Sequence, residues 1–96
     1  MTDGDPSDES ATVRVWLVER SYDDRNLITL VYATPDGERA LRRERSATVM
    51  QQQGSRVTAA VDVDADRLSA VDDEERERYA TEAARTREQY APDDEV

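Results

Sequence analysis

Two strand-length apolar runs lying close together near the start constrain this chain most. They are Val13-Arg14-Val15-Trp16-Leu17-Val18-Glu19-Arg20 and Leu27-Ile28-Thr29-Leu30-Val31-Tyr32. Both are rich in β-branched residues, and the polar Ser21–Asn26 between them is short enough for a hairpin loop. Thr34-Pro35-Asp36-Gly37 follows at once. Pro presets φ at the second position of a turn, Asp accepts from nearby amides, and Gly takes the left-handed position, so a second hairpin is predicted. Pairing Thr34 with Glu38 would set Val31 opposite Leu41 and Leu30 opposite Arg42, bringing an Arg-rich third strand to lie at or near a sheet edge.

Beyond Ala40 the residues favour helix by propensity, and one helix over 40–53 competes with a strand to about Glu44 followed by a short helix at Ser46–Gln52. The second reading is preferred. Gly54-Ser55 then breaks the chain, and Val57, Ala59, Val61 and Val63 alternate on one face of a fourth strand. An acidic link, Asp64–Asp73, offers Leu68 and Val71 as packing points. From Glu74 to Tyr90, Tyr79, Ala80, Ala83, Ala84 and Tyr90 form one helical stripe, with Asp72 and Glu75 as cap, Arg78 four residues from both Glu74 and Glu82, and Pro92 as stop. The fold class is therefore α+β: an antiparallel sheet of about four strands, a meander plus one, with a short helix between strands three and four and a C-terminal helix packed on one face. One domain is expected over 12–91, between acidic tails at 1–11 and 92–96 that lack side chains to bury and should be dispensable.

The absences narrow the chemistry. Without Cys or His there is no thiolate or imidazole metal site, no cysteine nucleophile and no histidine base. All 13 basic residues are Arg, which removes lysine Schiff-base chemistry, and the 3 Gly are too scattered for a phosphate-binding loop. The N-terminus lacks the basic start and apolar run of a signal peptide, and no apolar stretch could span a bilayer, so a cytoplasmic location away from membranes is expected.

The formal net charge is -10, concentrated in the two tails and in 62–75. One basic concentration opposes it, at Arg39, Arg42, Arg43 and Arg45. Acidity without lysine, with one Ile and no Phe, suits a molar-salt habitat, where carboxylates hold diffuse hydrated cations and screening shortens to about 3 Å. The segments Trp16–Arg20, Val31–Arg39, Thr58–Asp62 and Arg78–Ala80 resemble a group of small acidic haloarchaeal proteins of uncharacterised function. The resemblance spans about 13–94, rests on turns and strands, and implies salt adaptation without any catalytic residue.

Asp62, Asp64 and Asp66 have the opening spacing of a calcium loop, but Arg67 stands where its sharp turn needs Gly, and Asp73 where a bidentate Glu belongs. No metal or cofactor is expected. Carboxylate pairs are easy to draw among 23 acids, and nothing in the sequence supplies the apolar pocket that would tune one. Trp16 reads either as core or as an interface anchor, and Tyr22 and Tyr32 beside Arg residues could stack bases, although the surrounding charge repels nucleic acid. The expected function is a non-enzymatic protein-binding or accessory module whose partner is another protein or a second copy of itself, with Trp16, Arg39, Arg42, Arg43 and Arg45 as interaction patch. The alternative is a nucleic-acid-associated regulator using the same arginines.

A charge of -10 on so small a core leads to an expected salt dependence of folding. Circular dichroism and Trp16 fluorescence should show a cooperative gain of structure between dilute buffer and molar salt. Full structure in dilute buffer would contradict it.

Overall fold

The computed structural model describes residues 11–54 and 56–96; the tail expected at 1–11 lies outside them except for Ala11. Five antiparallel strands form one open sheet in the order β4-β1-β2-β3-β5. They are β1 (Thr12–Tyr22), β2 (Leu27–Ala33), β3 (Arg39–Ser46), β4 (Ala60–Asp64) and the two-residue β5 (Ser69–Ala70). Helix α1 (Ala47–Gln53) follows β3, and helix α2 (Asp73–Gln89) follows β5. The architecture is the α+β class expected, with one strand more, because the acidic link contains a 3-10 turn at Ala65–Arg67 and then β5. Leu68 and Val71 in that link are both buried.

The turn at 34–37 forms, but its register differs from the expected one. Gly37 N–H donates to Thr34 O at 2.8 Å, Gly37 has φ 74°, and Thr34 N–H donates to Arg39 O rather than pairing with Glu38. Glu38 is an extra loop residue, so Tyr32 faces Leu41, Val31 faces Arg42 and Leu30 faces Arg43. Asp36 stabilises the loop by accepting from the Thr34 hydroxyl at 2.6 Å and from Glu38 N–H at 3.0 Å, which holds its carboxyl below the ordinary carboxylate range.

A bulge in β1 sets the other register. Leu17 pairs with Tyr32 and Glu19 with Val31, leaving Val18 as the extra residue. Leu17 N–H donates to Ala59 O at 2.8 Å, and the Thr86 hydroxyl of α2 donates to Leu17 O at 2.8 Å, so both backbone groups at the bulge are satisfied. Because side chains alternate faces, the extra residue reverses the facing of everything after it.

The sheet is covered on both faces. Against α2 lie Trp16, Ala59 and Ala60, packed with Ala83 of the helix and joined by Val18 and Val96. The opposite face carries Val15, Leu30, Tyr32, Leu41 and Val63, packed with Leu68. Ala59 thus leaves the expected row of Val57, Val61 and Val63, because β4 begins only at Ala60. In α2, Asp72 is the N-cap residue without a side-chain cap bond, and Arg78 pairs with Glu75 on its own helix and with Glu19 of β1 at 3.2 Å, rather than with Glu74 and Glu82. The helix also closes on the turn: a Cβ at Gly37 would stand 2.2 Å from Arg76 O and 2.8 Å from Ala80 N. In α1, the Ser46 hydroxyl accepts from Val49 N–H and Gly54 closes the helix at φ 67°.

Residues 92–96, expected to be a loose tail, are built into the sheet side of the domain. Ala60 N–H donates to Pro92 O, Ala59 N–H to Asp94 O and Val96 N–H to Val57 O, at 3.0, 2.8 and 2.9 Å. Their side chains are mostly polar, so hydropathy gave no sign of a backbone-mediated attachment. Two outcomes are expected. Deleting 92–96 should cost about 1–3 kcal/mol, lowering Tm by roughly 5–20 °C, where an unchanged melt would show the segment to be dispensable. Gly37→Ala should cost more than about 2 kcal/mol in denaturant unfolding, since it combines a positive φ with a backbone collision; a change within about 0.5 kcal/mol would contradict the close approach.

Candidate functional site

The two registers decide where the arginines go. On β3, Arg43 pairs with Leu30 and Arg45 with Ile28, on the face away from α2, while Arg42 pairs with Val31 on the helix side. Arg39 shares the alternation of Arg43 and Arg45. The run expected to act as one patch is therefore divided between faces. Trp16 is 5% exposed beneath α2, so of the two readings left open it takes the core one and lies apart from Arg39, Arg43 and Arg45.

Two further arginines join the face away from α2. Arg20 pairs with Leu30 there, because the bulge at Val18 moves it from the side that simple alternation would have given. Arg56, just after α1, lines the same cavity as Arg43 and Arg45. The signal for Arg20 lay in the incomplete alternation of Trp16-Leu17-Val18, which shows that a bulge is possible but not where it falls. Arg56 had no local signal, since its position depends on how the chain returns after Gly54.

The cavity holds about 240 Å³ beneath α1. Leu30, Tyr32 and Val61 of the sheet contribute apolar wall, Val49 and Met50 of α1 close over it, and Gln53 and Thr58 add polar groups beside the three arginines. An adjoining groove is lined by Arg20, Ser21, Tyr22, Ile28 and Val57. Tyr22 is 66% exposed, the most exposed large apolar side chain among the described residues. Burial pushes the Tyr32 phenol up from its ordinary value, against the opposing effect of Arg43, Arg45 and Arg20 around it.

The charge pairing separates the two sides. Toward α2, Arg14 makes a two-pronged contact with Asp62 at 2.9 and 3.2 Å, and Arg78 holds Glu19. On the other side, among the described residues, Arg39, Arg43 and Arg45 have no carboxylate within 4.0 Å. Arg20 donates to Val96 O at 2.9 Å and Arg45 to Glu44 O at 3.1 Å, whereas Arg56 has Glu95 at 3.9 Å. Arg43 Nε is buried and donates to no acceptor. Leaving such a donor unsatisfied costs about 1–3 kcal/mol, offset partly by the Tyr32 ring, whose centroid lies 5.9 Å from Arg43 Cζ and contributes about 0.5–1 kcal/mol.

Other candidates are weaker. The outer edge of β3 is covered by β5 only at Arg39 and Ala40, and Arg45 caps the outward carbonyl of Glu44, which blunts the edge as a template for another strand. A wider cavity of about 340 Å³ between β3 and α2 is lined by Arg42 but also by Asp72 and Glu75. Asp62 is engaged by Arg14, and among the described residues no group of three acids is arranged to hold a metal ion. No helix among the described residues is long and apolar enough to cross a membrane.

The model of a family of unknown function, DUF7967, matches residues 9–96. No curated protein and no solved structure matches the chain.

Proposed function

We propose that this chain, which belongs to the DUF7967 family of unknown function, is a non-enzymatic protein-binding module adapted to high salt, whose arginine-lined sheet face docks an acidic partner protein. One observation carries the reading: on a chain of net charge -10, Arg39, Arg43 and Arg45 of one face have no carboxylate within 4.0 Å among the described residues, while Arg14, Arg42 and Arg78 on the α2 side do. Acids outnumber arginines 23 to 13, yet none of those acids among the described residues lies against the guanidiniums of Arg39, Arg43 and Arg45. Tyr22 and the guanidiniums are also the residue types that dominate interface energetics, and they share one face with Ile28 and Val57.

Apolar contact matters as much as charge. In molar salt, exposed pairs are screened within about 3 Å, while burial is strengthened by excluded salts. A partner that covers Tyr22, Ile28 and Val57 and sets carboxylates against the guanidinium forks keeps its affinity under those conditions. A phosphate backbone held by charge alone would lose much more, with a slope of about -0.9 per phosphate contacted on duplex DNA. The nucleic-acid alternative is weakened further because Arg42 faces away from Arg43 and Arg45.

The division of faces makes the test clean. Arg20→Gln combined with Arg45→Gln should reduce capture of the native protein partner at molar salt by about tenfold or more, and Arg42→Gln should leave it unchanged. Nuclease treatment should have no effect. If the double variant instead loses bound RNA or DNA while protein capture persists, the nucleic-acid reading replaces this one.

A further inference from the structure

The cavity beneath α1 contains more chemistry than a general basic surface. Its walls combine an apolar patch from Leu30, Tyr32, Val61 and Met50 with the guanidiniums of Arg43, Arg45 and Arg56. No carboxylate contributes to this lining. Arg43 is one of the lining residues, and its Nε, closed off from solvent, is the one buried side-chain donor without an acceptor among the described residues. At about 240 Å³ the space falls below the roughly 300–1,000 Å³ usual for drug-sized ligands, and suits a guest the size of one side chain.

We infer that this cavity is the anchor pocket of the docking face and receives a single carboxylate carried on a short apolar stem, supplied by an acidic side chain of the partner protein. The inference rests on the docking proposed above. A guanidinium presents its two Nη groups as a parallel fork that matches the two oxygens of a carboxylate, and a carboxylate held there is felt at the neighbouring Nε–H. The stem then lies along Leu30, Tyr32 and Met50, replacing water at apolar surface. Phosphate could engage the same fork, but it brings no apolar stem to this lining and carries a larger hydration shell into a small space.

Arg43 Nε–H is itself the reporter. In ¹H–¹⁵N spectra of the full chain, its resonance is identified by its disappearance in Arg43→Gln. The protein is titrated at constant molar ionic strength with 4-methylpentanoate, with the corresponding amide, with acetate and with inorganic phosphate. A saturable shift of the Arg43 Nε–H with 4-methylpentanoate, at least tenfold weaker for the amide and for acetate, supports the pocket. Equal responses to acid and amide, tighter binding of phosphate, or no saturable shift overturns it. Met50→Phe fills the cavity from α1 and leaves every arginine in place, so it guards against misfolding of Arg43→Gln. With the circular dichroism spectrum retained, Met50→Phe should abolish the 4-methylpentanoate shift; an undiminished shift would place the acid elsewhere and overturn the proposal. The docking reading fails separately, since capture that is insensitive to Arg20→Gln with Arg45→Gln refutes it whatever the small acids do, and capture that is sensitive while the Arg43 resonance stays still removes only the pocket.

Discussion

The backbone of Leu17 is where the two halves of this protein are tied together. Its N–H is bonded to Ala59 at the approach to β4, and its carbonyl is bonded to the hydroxyl of Thr86 in α2. A bulge ordinarily exposes backbone groups that the neighbouring strand no longer satisfies, and a buried unmet group costs about 1–3 kcal/mol. Here the bulge is stabilised by segments remote in sequence, the approach to β4 and helix α2. Its effect reaches both faces. Val18 and Glu19 turn toward α2, where Glu19 meets Arg78, while Arg20 turns to the other side and joins Arg43 and Arg45 near Tyr32. Without that reversal, Glu19 would oppose the basic face and Arg20 would sit beneath an Arg-bearing helix.

The sequence made the local elements legible because their causes are local. Pro35, Asp36 and Gly37 each suit one turn position, Ser46 and Gly54 bracket α1, and the β-branched runs mark β1 and β2. The site was only partly legible, because it depends on parity. One extra loop residue, Glu38, changes which β3 side chains share a face with Leu30, and one extra strand residue, Val18, does the same for Arg20. Composition constrains neither insertion. Arg42 and Arg43 are adjacent in sequence and look alike, yet they face opposite sides. The attachment of 92–96 was hidden for another reason: it is made by backbone groups, and backbone hydrogen bonding leaves no pattern of apolar residues.

Small apolar content shapes the remaining architecture. With no Phe and a single Trp, the helix that covers the sheet sets the small Ala83 against Trp16 and makes a close approach to Gly37. That keeps α2 near the backbone and limits the area it covers. The opposite face is roofed by α1, a seven-residue helix with no buried residue, together with Leu68 beside the sheet. A cover so short leaves space between itself and the sheet, and the cavity at Tyr32 is that space.

The uncompensated arginines follow from the same economy of large side chains. An aliphatic stem packs against apolar surface while its charged end remains near solvent, so an arginine can extend a sheet face that has no Phe and a single Ile. Toward α2 this arrangement is completed by Glu19, Glu75 and Asp62, which neutralise their partners within the fold. On the α1 side the nearest structural acid on β3, Glu44, points to the opposite face and offers Arg45 only its carbonyl. The stems of Arg43 and Arg45 therefore serve the fold, whereas their charges are left to whatever anion is brought to the face. That separation of packing from neutralisation is what allows a chain of net charge -10 to present a cationic surface without dispensing with any acid elsewhere.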